Sequence, residues 1–146
     1  MVREALLRRV DLPPENVHRM EADAADADAA ADRYAQLLPK ATDVLVLGVG
    51  ADGHTASLFP GSAALGERSR RVVPARAPKP PERRLTITPP VIAAARRVLI
   101  LAAGSDKAEA VARALKGTGS AEEVPARLAR AGVWFLDRSA ARLLAD

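Results

Sequence analysis

The sequence predicts a layered α/β fold built on a mostly parallel sheet, and three observations carry that prediction. Residues 44–47 and 98–102 are consecutive apolar runs rich in β-branched side chains, as expected of strands buried on both faces. Each run breaks into glycines, at Gly48, Gly50 and Gly53 after the first and at Gly104 after the second, as a chain does when it turns sharply off a strand end. Predicted helices stand before, between and after them, over 23–38, from Pro89 to residue 95 and up to Leu115, so strands alternate with helices, and the expected arrangement is one sheet with helices on both faces.

Taken in order, Val2, Ala5, Leu6 and Val10 stand at helical intervals, so residues 2–9 are predicted to form an amphipathic helix that Pro13 and Pro14 stop. Residues 16–20 are a short strand candidate, and His18 within it is assigned no role. Residues 23–38 form a predicted helix with Tyr34, Leu37 and Leu38 on one side, and Glu21, Asp23 and Asp26 favour its positive N-terminus. These acids lack the central glycine and closing glutamate of a calcium loop. Beyond the strand at 44–47, Pro60 and Gly61 end any helix that begins near Thr55. Residues 71–76 and 84–88 read as two strands joined by a proline-rich loop. Pro89 and Pro90 open a short helix to residue 95, the strand at 98–102 follows, and residues 104–107 lead into a helix to Leu115. Residues 117–120 are a loop, 126–131 a short helix, 133–136 a last strand and 138–144 a terminal helix. The alternation is Rossmann-like. With no internal repeat and no linker, residues 1–146 are expected to form a single domain.

Composition narrows the function classes. Aromatic residues make up 3% of the chain, so its core must come from Ala, Val and Leu. The chain has 0 cysteines, which excludes a disulfide scaffold and thiolate metal sites and fits a reducing compartment. No apolar run reaches the roughly 20 residues of a membrane span, and the N-terminus has no signal-peptide core, so a cytoplasmic protein without membrane contact is expected. The net charge of +4 is unevenly placed: residues 21–32 are acidic, whereas residues 68–97 hold eight arginines and Lys79. A basic middle suits nucleic acid or a phosphorylated metabolite. No aromatic side chains alternate with these charges to stack on bases, so a solvated surface is preferred and no nucleic-acid partner is expected.

Three chemical readings compete for the loop after the first apolar run. Residues 48–53 match G-x-G-x-x-G, but a dinucleotide fingerprint also needs a full helix at the third glycine and an acid on a second strand about 20 residues on. Pro60 cuts that helix short, and residues 62–67 do not read as a strand. Ser57 as a nucleophile lacks the G-x-S-x-G elbow. The third reading makes His54 a general base, because imidazole titrates near neutrality and a glycine loop holds it against a ligand. Against it stands a purely structural His54 that ties the loop together. A second feature lies at Gly104, Ser105 and Lys107, where free amides at a helix start and a nearby cation suit an anion. An ordinary capped helix with an exposed lysine explains the same residues.

Three blocks carry a resemblance: L-G-V-G-A-D-G-H-T-A-S-L-F-P-G-S-A-A-L, R-L-T-I-T-P-P-V-I-A-A-A-R-R-V-L-I-L-A-A-G-S-D-K-A-E-A-V and G-V-W-F-L-D-R-S-A-A-R-L-L. In this order they resemble 6-phosphogluconolactonases, within the superfamily shared with glucosamine-6-phosphate isomerases, over essentially the whole chain. The resemblance implies hydrolysis of 6-phosphogluconolactone to 6-phosphogluconate in the oxidative pentose phosphate pathway, with a phosphorylated sugar lactone as small-molecule partner and no metal or cofactor. It implies His54 as the catalytic base, Lys107 on the 6-phosphate, Gly50, Asp52 and Gly53 shaping the loop around substrate, and Gly104 and Ser105 near the phosphate. A glucosamine-6-phosphate deaminase is the related alternative; that family follows its histidine with a sequence like I-A-F-N-E-P, where this chain has T-A-S-L-F-P. Family members also begin with a strand, a Gly-Gly-Ser phosphate loop, a helix and an Asp-Glu-Arg segment that this chain does not contain. The resemblance therefore implies an absent N-terminal third, which predicts an exposed sheet edge, exposed apolar helix faces and weak or no activity. A catalytically weak sugar-phosphate-binding fragment is the remaining alternative.

Overall fold

The computed structural model describes residues 3–144. Its first regular helix, α1 (Ala27–Leu37), is capped by Asp26, whose carboxylate accepts from the Ala29 amide at 2.9 Å. Strand β1 (Val44–Gly48) follows, then the hairpin β2 (Val72–Arg76) and β3 (Arg83–Ile87), helix α2 (Pro89–Ala94), strand β4 (Arg97–Ala102), helix α3 (Ala108–Leu115) and strand β5 (Val133–Leu136). Short single turns at Ala63–Gly66, Ser105–Lys107 and Pro125–Ala129 join them. The parallel sheet has the order β1-β4-β5, with Leu47 opposite Ile100 and Ile100 opposite Trp134. The β2–β3 hairpin is antiparallel and forms a sheet of its own.

The α/β class with a mostly parallel sheet holds, and the two faces of that sheet differ. Leu47, Ile100 and Ala102 point into a core shared with Val91 and Ile92 of α2, Val111 and Ala114 of α3, and the buried Val124, Ala126 and Ala129. The opposite face carries Val44, Val46, Leu101, Val133 and Phe135, each about half exposed, with Val46 at 56% and Phe135 at 53%. Among the described residues, α2 and α3 contribute to the core on the first of these faces, and the second is about half exposed. Apolar surface is left open on the sheet and also on helical segments, where Leu6 and Leu37 are exposed.

The charge segregation read in the sequence is largely internal complementarity. Arg70 spans Asp28 at 2.8 Å and Asp32 at 3.0 Å on α1. The Arg71 guanidinium donates to the Ala35, Leu38 and Pro39 carbonyls at the end of the same helix, groups that α1 leaves without intrahelical partners. Arg83 reaches the Ala24 and Ala25 carbonyls just before it.

Three local expectations need correction, and the course of the chain at Thr55, left open by the sequence, is given by the structure. Residues 16–20 form no strand, because Val17, His18 and Arg19 are exposed and no other strand pairs with them. The predicted helix over 2–9 is one wide turn, Arg3–Leu7, closed by the Arg8 amide on the Arg3 carbonyl at 2.9 Å; Val2 lies outside the described residues. Leu6 and Val10 are exposed, so this short segment has no surface to stabilise it by packing. No helix begins at Thr55; the chain makes a tight turn, with the Leu58 amide on the Thr55 carbonyl at 2.9 Å. Residues 138–144 are successive turns, with the Ala141 amide on the Asp137 carbonyl and the Leu144 amide on the Ala141 carbonyl, too few bonds to offset helix nucleation.

Candidate active site

The site begins where β1 ends. Gly48 closes the strand, Val49 is buried, and the chain reverses through residues 50–54, with the Gly50 amide on the His54 carbonyl and the Gly53 amide on the Gly50 carbonyl, both at 2.9 Å. Gly53 has φ +88°, a conformation that side chains resist, and a Cβ there would come within 3.0 Å of Val124. Its carbonyl accepts from the Ala126 amide at 2.9 Å, which seats the loop on the Pro125–Ala129 turn. Beyond His54, the Thr55 hydroxyl donates to the Gly48 carbonyl at 2.9 Å, Leu58 is fully buried, and the Ser57 amide donates to the Thr86 hydroxyl of β3 at 3.1 Å. The loop is therefore bolted to β1, to the hairpin and to the core.

Within it, Asp52 and His54 form a pair. One carboxylate oxygen, Asp52 Oδ1, accepts from the His54 backbone amide at 3.1 Å and from His54 Nδ1 at 2.6 Å. Burial alone would raise the Asp52 pKa, but the hydrogen bonds from the His54 amide and imidazole outweigh it and hold the carboxyl below its ordinary range. An ionised carboxylate only accepts, so the proton of the neutral imidazole sits on Nδ1 and Nε2 keeps its lone pair. The ring of Phe59 packs against the imidazole, with centroids 4.6 Å apart. Ser57 makes no hydrogen bond to His54 among the described residues, which leaves the nucleophile reading without its base. The dinucleotide reading meets a turn where it needs a helix.

A cleft of about 510 Å³ opens at this pair, lined by Asp52, His54, Ser57, Phe59, Lys79 and Arg84 among others. Gly50, Asp52, Gly53 and His54 are thus gathered in one loop. Gly104, Ser105 and Lys107 lie off the end of β4, the neighbouring parallel strand, and so on the same edge of the sheet, but they do not line this cleft. The Gly104 amide, expected to be free, donates to the Asp137 carboxylate at 3.0 Å. Lys107 is partly buried and its ammonium pairs with Asp106 at 3.0 Å.

Lys79 and Arg84 are the site residues that sequence reasoning missed, having been grouped with a solvated basic surface. No local signal marks either residue: Arg84 shares a strand face with Thr86, two residues on, but that Thr86 holds the Ser57 amide is decided by the fold. Among the described residues, no three His, Asp or Glu side chains gather to hold a metal ion, and no helix is long and apolar enough to cross a membrane.

The fold is that of an α/β protein with a parallel sheet, and off the end of β1 a carboxylate-held imidazole lines a cleft that two cationic side chains also line, an arrangement chemically able to pass a proton near an anion. A family model for glucosamine-6-phosphate isomerases/6-phosphogluconolactonase matches residues 1–135, and the chain belongs to this family. It is 45% identical over 160 residues to a 6-phosphogluconolactonase of Streptomyces coelicolor, covering 97% of this chain and 61% of that protein. The structure of 6-phosphogluconolactonase from Trypanosoma brucei superposes with a TM-score of 0.78 at 34% identity, covering 98% of this chain and 66% of that one. A monomeric glucosamine-6-phosphate deaminase gives a TM-score of 0.79 at 27% identity, covering 97% of this chain and 65% of that one. The chain spans 60–64% of the length of the first curated relatives it matches.

Proposed function

We propose that this chain carries the lactone-hydrolysing site of a 6-phosphogluconolactonase, acting on 6-phospho-D-glucono-1,5-lactone in the oxidative pentose phosphate pathway of the cytoplasm, within a single domain. His54 Nε2 takes a proton from water as its oxygen attacks the lactone carbonyl carbon. The tetrahedral intermediate then expels the ring oxygen, which receives that proton back from Nε2 and leaves as the hydroxyl of 6-phosphogluconate. Asp52 stabilises the imidazolium formed between these steps. Lys107 holds the phosphate, with Ser105 and Gly104 of the same turn near it, and Arg84 and Lys79 supply further positive charge on the cleft side. No cofactor takes part in these steps.

The observation that carries the reading is the 2.6 Å contact between Asp52 and His54 Nδ1, which leaves Nε2 as a base at the mouth of a cleft. The test is lactone hydrolysis against the spontaneous background. His54→Ala is expected to lower kcat by about 10²- to 10⁴-fold, and an unchanged rate sinks the proposal. Lys107→Ala and Arg84→Ala are expected to raise KM by about 10- to 100-fold, the value of a charge-assisted hydrogen bond to phosphate. The likeness to the deaminase supports a second reading, release of ammonia from glucosamine 6-phosphate. Ammonia release without lactone hydrolysis selects it. Saturable binding of 6-phosphogluconate with neither reaction selects a sugar-phosphate-binding module.

A further inference from the structure

We propose that Gly50 and Phe59 are positioning residues for His54, acting with Asp52 as a three-sided clamp that fixes the imidazole's plane and tautomer. The inference rests on His54 being the base, and it assigns Gly50 a task other than shaping the loop around substrate. A Cβ built on Gly50 would lie 2.0 Å from His54 Nδ1, 2.2 Å from Cε1 and 2.5 Å from Asp52 Oδ1. All three distances are far inside van der Waals contact, so the imidazole occupies the volume that any side chain at this position would take. Gly50 does not have the positive φ found at Gly53, Gly61 and Gly104. An alanine therefore fits the backbone here, and what it cannot coexist with is the His54–Asp52 pair.

Phe59 closes another side. Its ring lies at 44° to the imidazole plane with centroids 4.6 Å apart, within the range of favourable aromatic contact. It follows the fully buried Leu58, and its carbonyl accepts from the Ser62 amide at 3.0 Å, so its backbone is anchored on both sides. It also lines a second groove, of about 810 Å³, next to the His54 cleft. Asp52 pulls on Nδ1, Gly50 leaves room for the ring edge, and Phe59 stops the ring from swinging away. Free imidazole in water favours the proton on Nε2, and the clamp reverses that preference.

The chain has 2 histidines, so a ¹⁵N-histidine spectrum of the folded protein reads the His54 tautomer directly, with His18→Gln to assign it. At a pH where the rings are neutral, the unsubstituted chain is expected to show protonated Nδ1 and unprotonated Nε2 at His54. Gly50→Ala and Phe59→Leu are expected to move both shifts toward those of a freely averaging ring, with thermal midpoints close to the parent. In the lactone assay, Gly50→Ala is expected to lower kcat by about 10²-fold, as for a misplaced catalytic group, with KM within about 2-fold. Retention of the Nδ1–H tautomer in both variants, or an ordinary averaging tautomer in the parent, overturns the proposal. An unaltered rate in His54→Ala alongside a shifted tautomer in Gly50→Ala overturns the lactonase reading alone.

Discussion

Asp52 Oδ1 receives two hydrogen bonds from one residue, the backbone amide and the ring of His54. The first holds the loop and the second holds the imidazole, so removing the charge separates the two. Asp52→Asn keeps the shape but offers either an amide donor or a neutral acceptor to Nδ1. It is expected to lower kcat by about 10²- to 10⁴-fold with little change in KM, measured on the lactone. The same pair predicts a pH effect on stability. The Asp52 pKa is lowered in the folded state, so its contribution is whole above the ordinary carboxyl value of about 3.9 and drains away as pH falls through the lower folded value. The difference in Tm between the parent and Asp52→Asn should accordingly shrink as pH is taken below that range, and a difference that grows on acidification contradicts the assignment. The sequence displayed the D-G-H triplet, but the shared oxygen depends on how Gly50 and Gly53 fold the turn.

At the scale of elements, the hairpin and α1 show why two adjacent arginines differ. Arg70 makes two ion pairs with Asp28 and Asp32, whose side chains are well exposed to water. Such pairs are screened and worth little, so Arg70→Ala is expected to cost under about 1 kcal/mol. Arg71 instead satisfies carbonyls at the C-terminal end of α1, in partly buried contacts. Arg71→Ala leaves those acceptors short of a donor and is expected to cost about 1–3 kcal/mol, read from urea midpoints at constant m-value. Equal effects of the two substitutions would remove this distinction. In the sequence both residues belong to one basic block, and nothing local distinguishes them. Strand content was more legible: the runs read at 71–76, 84–88, 98–102 and 133–136 fall within a residue of the observed strands, whereas residues 16–20 have strand-like composition and no partner.

For the whole molecule, the governing feature is the half-exposed apolar face of the β1-β4-β5 sheet. Val46, Leu101 and Phe135 come from three different strands and stand on one side of it. Contiguous apolar surface of this kind drives association. The chain is expected to self-associate with rising concentration in sedimentation velocity. A Val46→Thr, Leu101→Thr, Phe135→Thr variant is expected to remain monomeric, with a Tm close to the parent because about half of each side chain is already in water and threonine suits a strand. A parent that stays monomeric across the concentration series rules this out. The charge distribution also makes sense only at this scale, since the basic middle folds back onto the acidic helix and its flanks.

The sequence by itself determined the α/β alternation, the glycine-rich turn at the end of an apolar strand, and the placing of Asp52 and His54 in it. These follow from periodicity and turn chemistry, which are properties of neighbouring residues. Only the tertiary structure decided that β4 lies between β1 and β5, that one sheet face is open, that the Gly104 amide is taken by Asp137, and that Lys79 and Arg84 stand at the His54 cleft. Each depends on segments distant in sequence meeting in a particular register, and pairing energies between distant segments leave no local mark on the residues that make them.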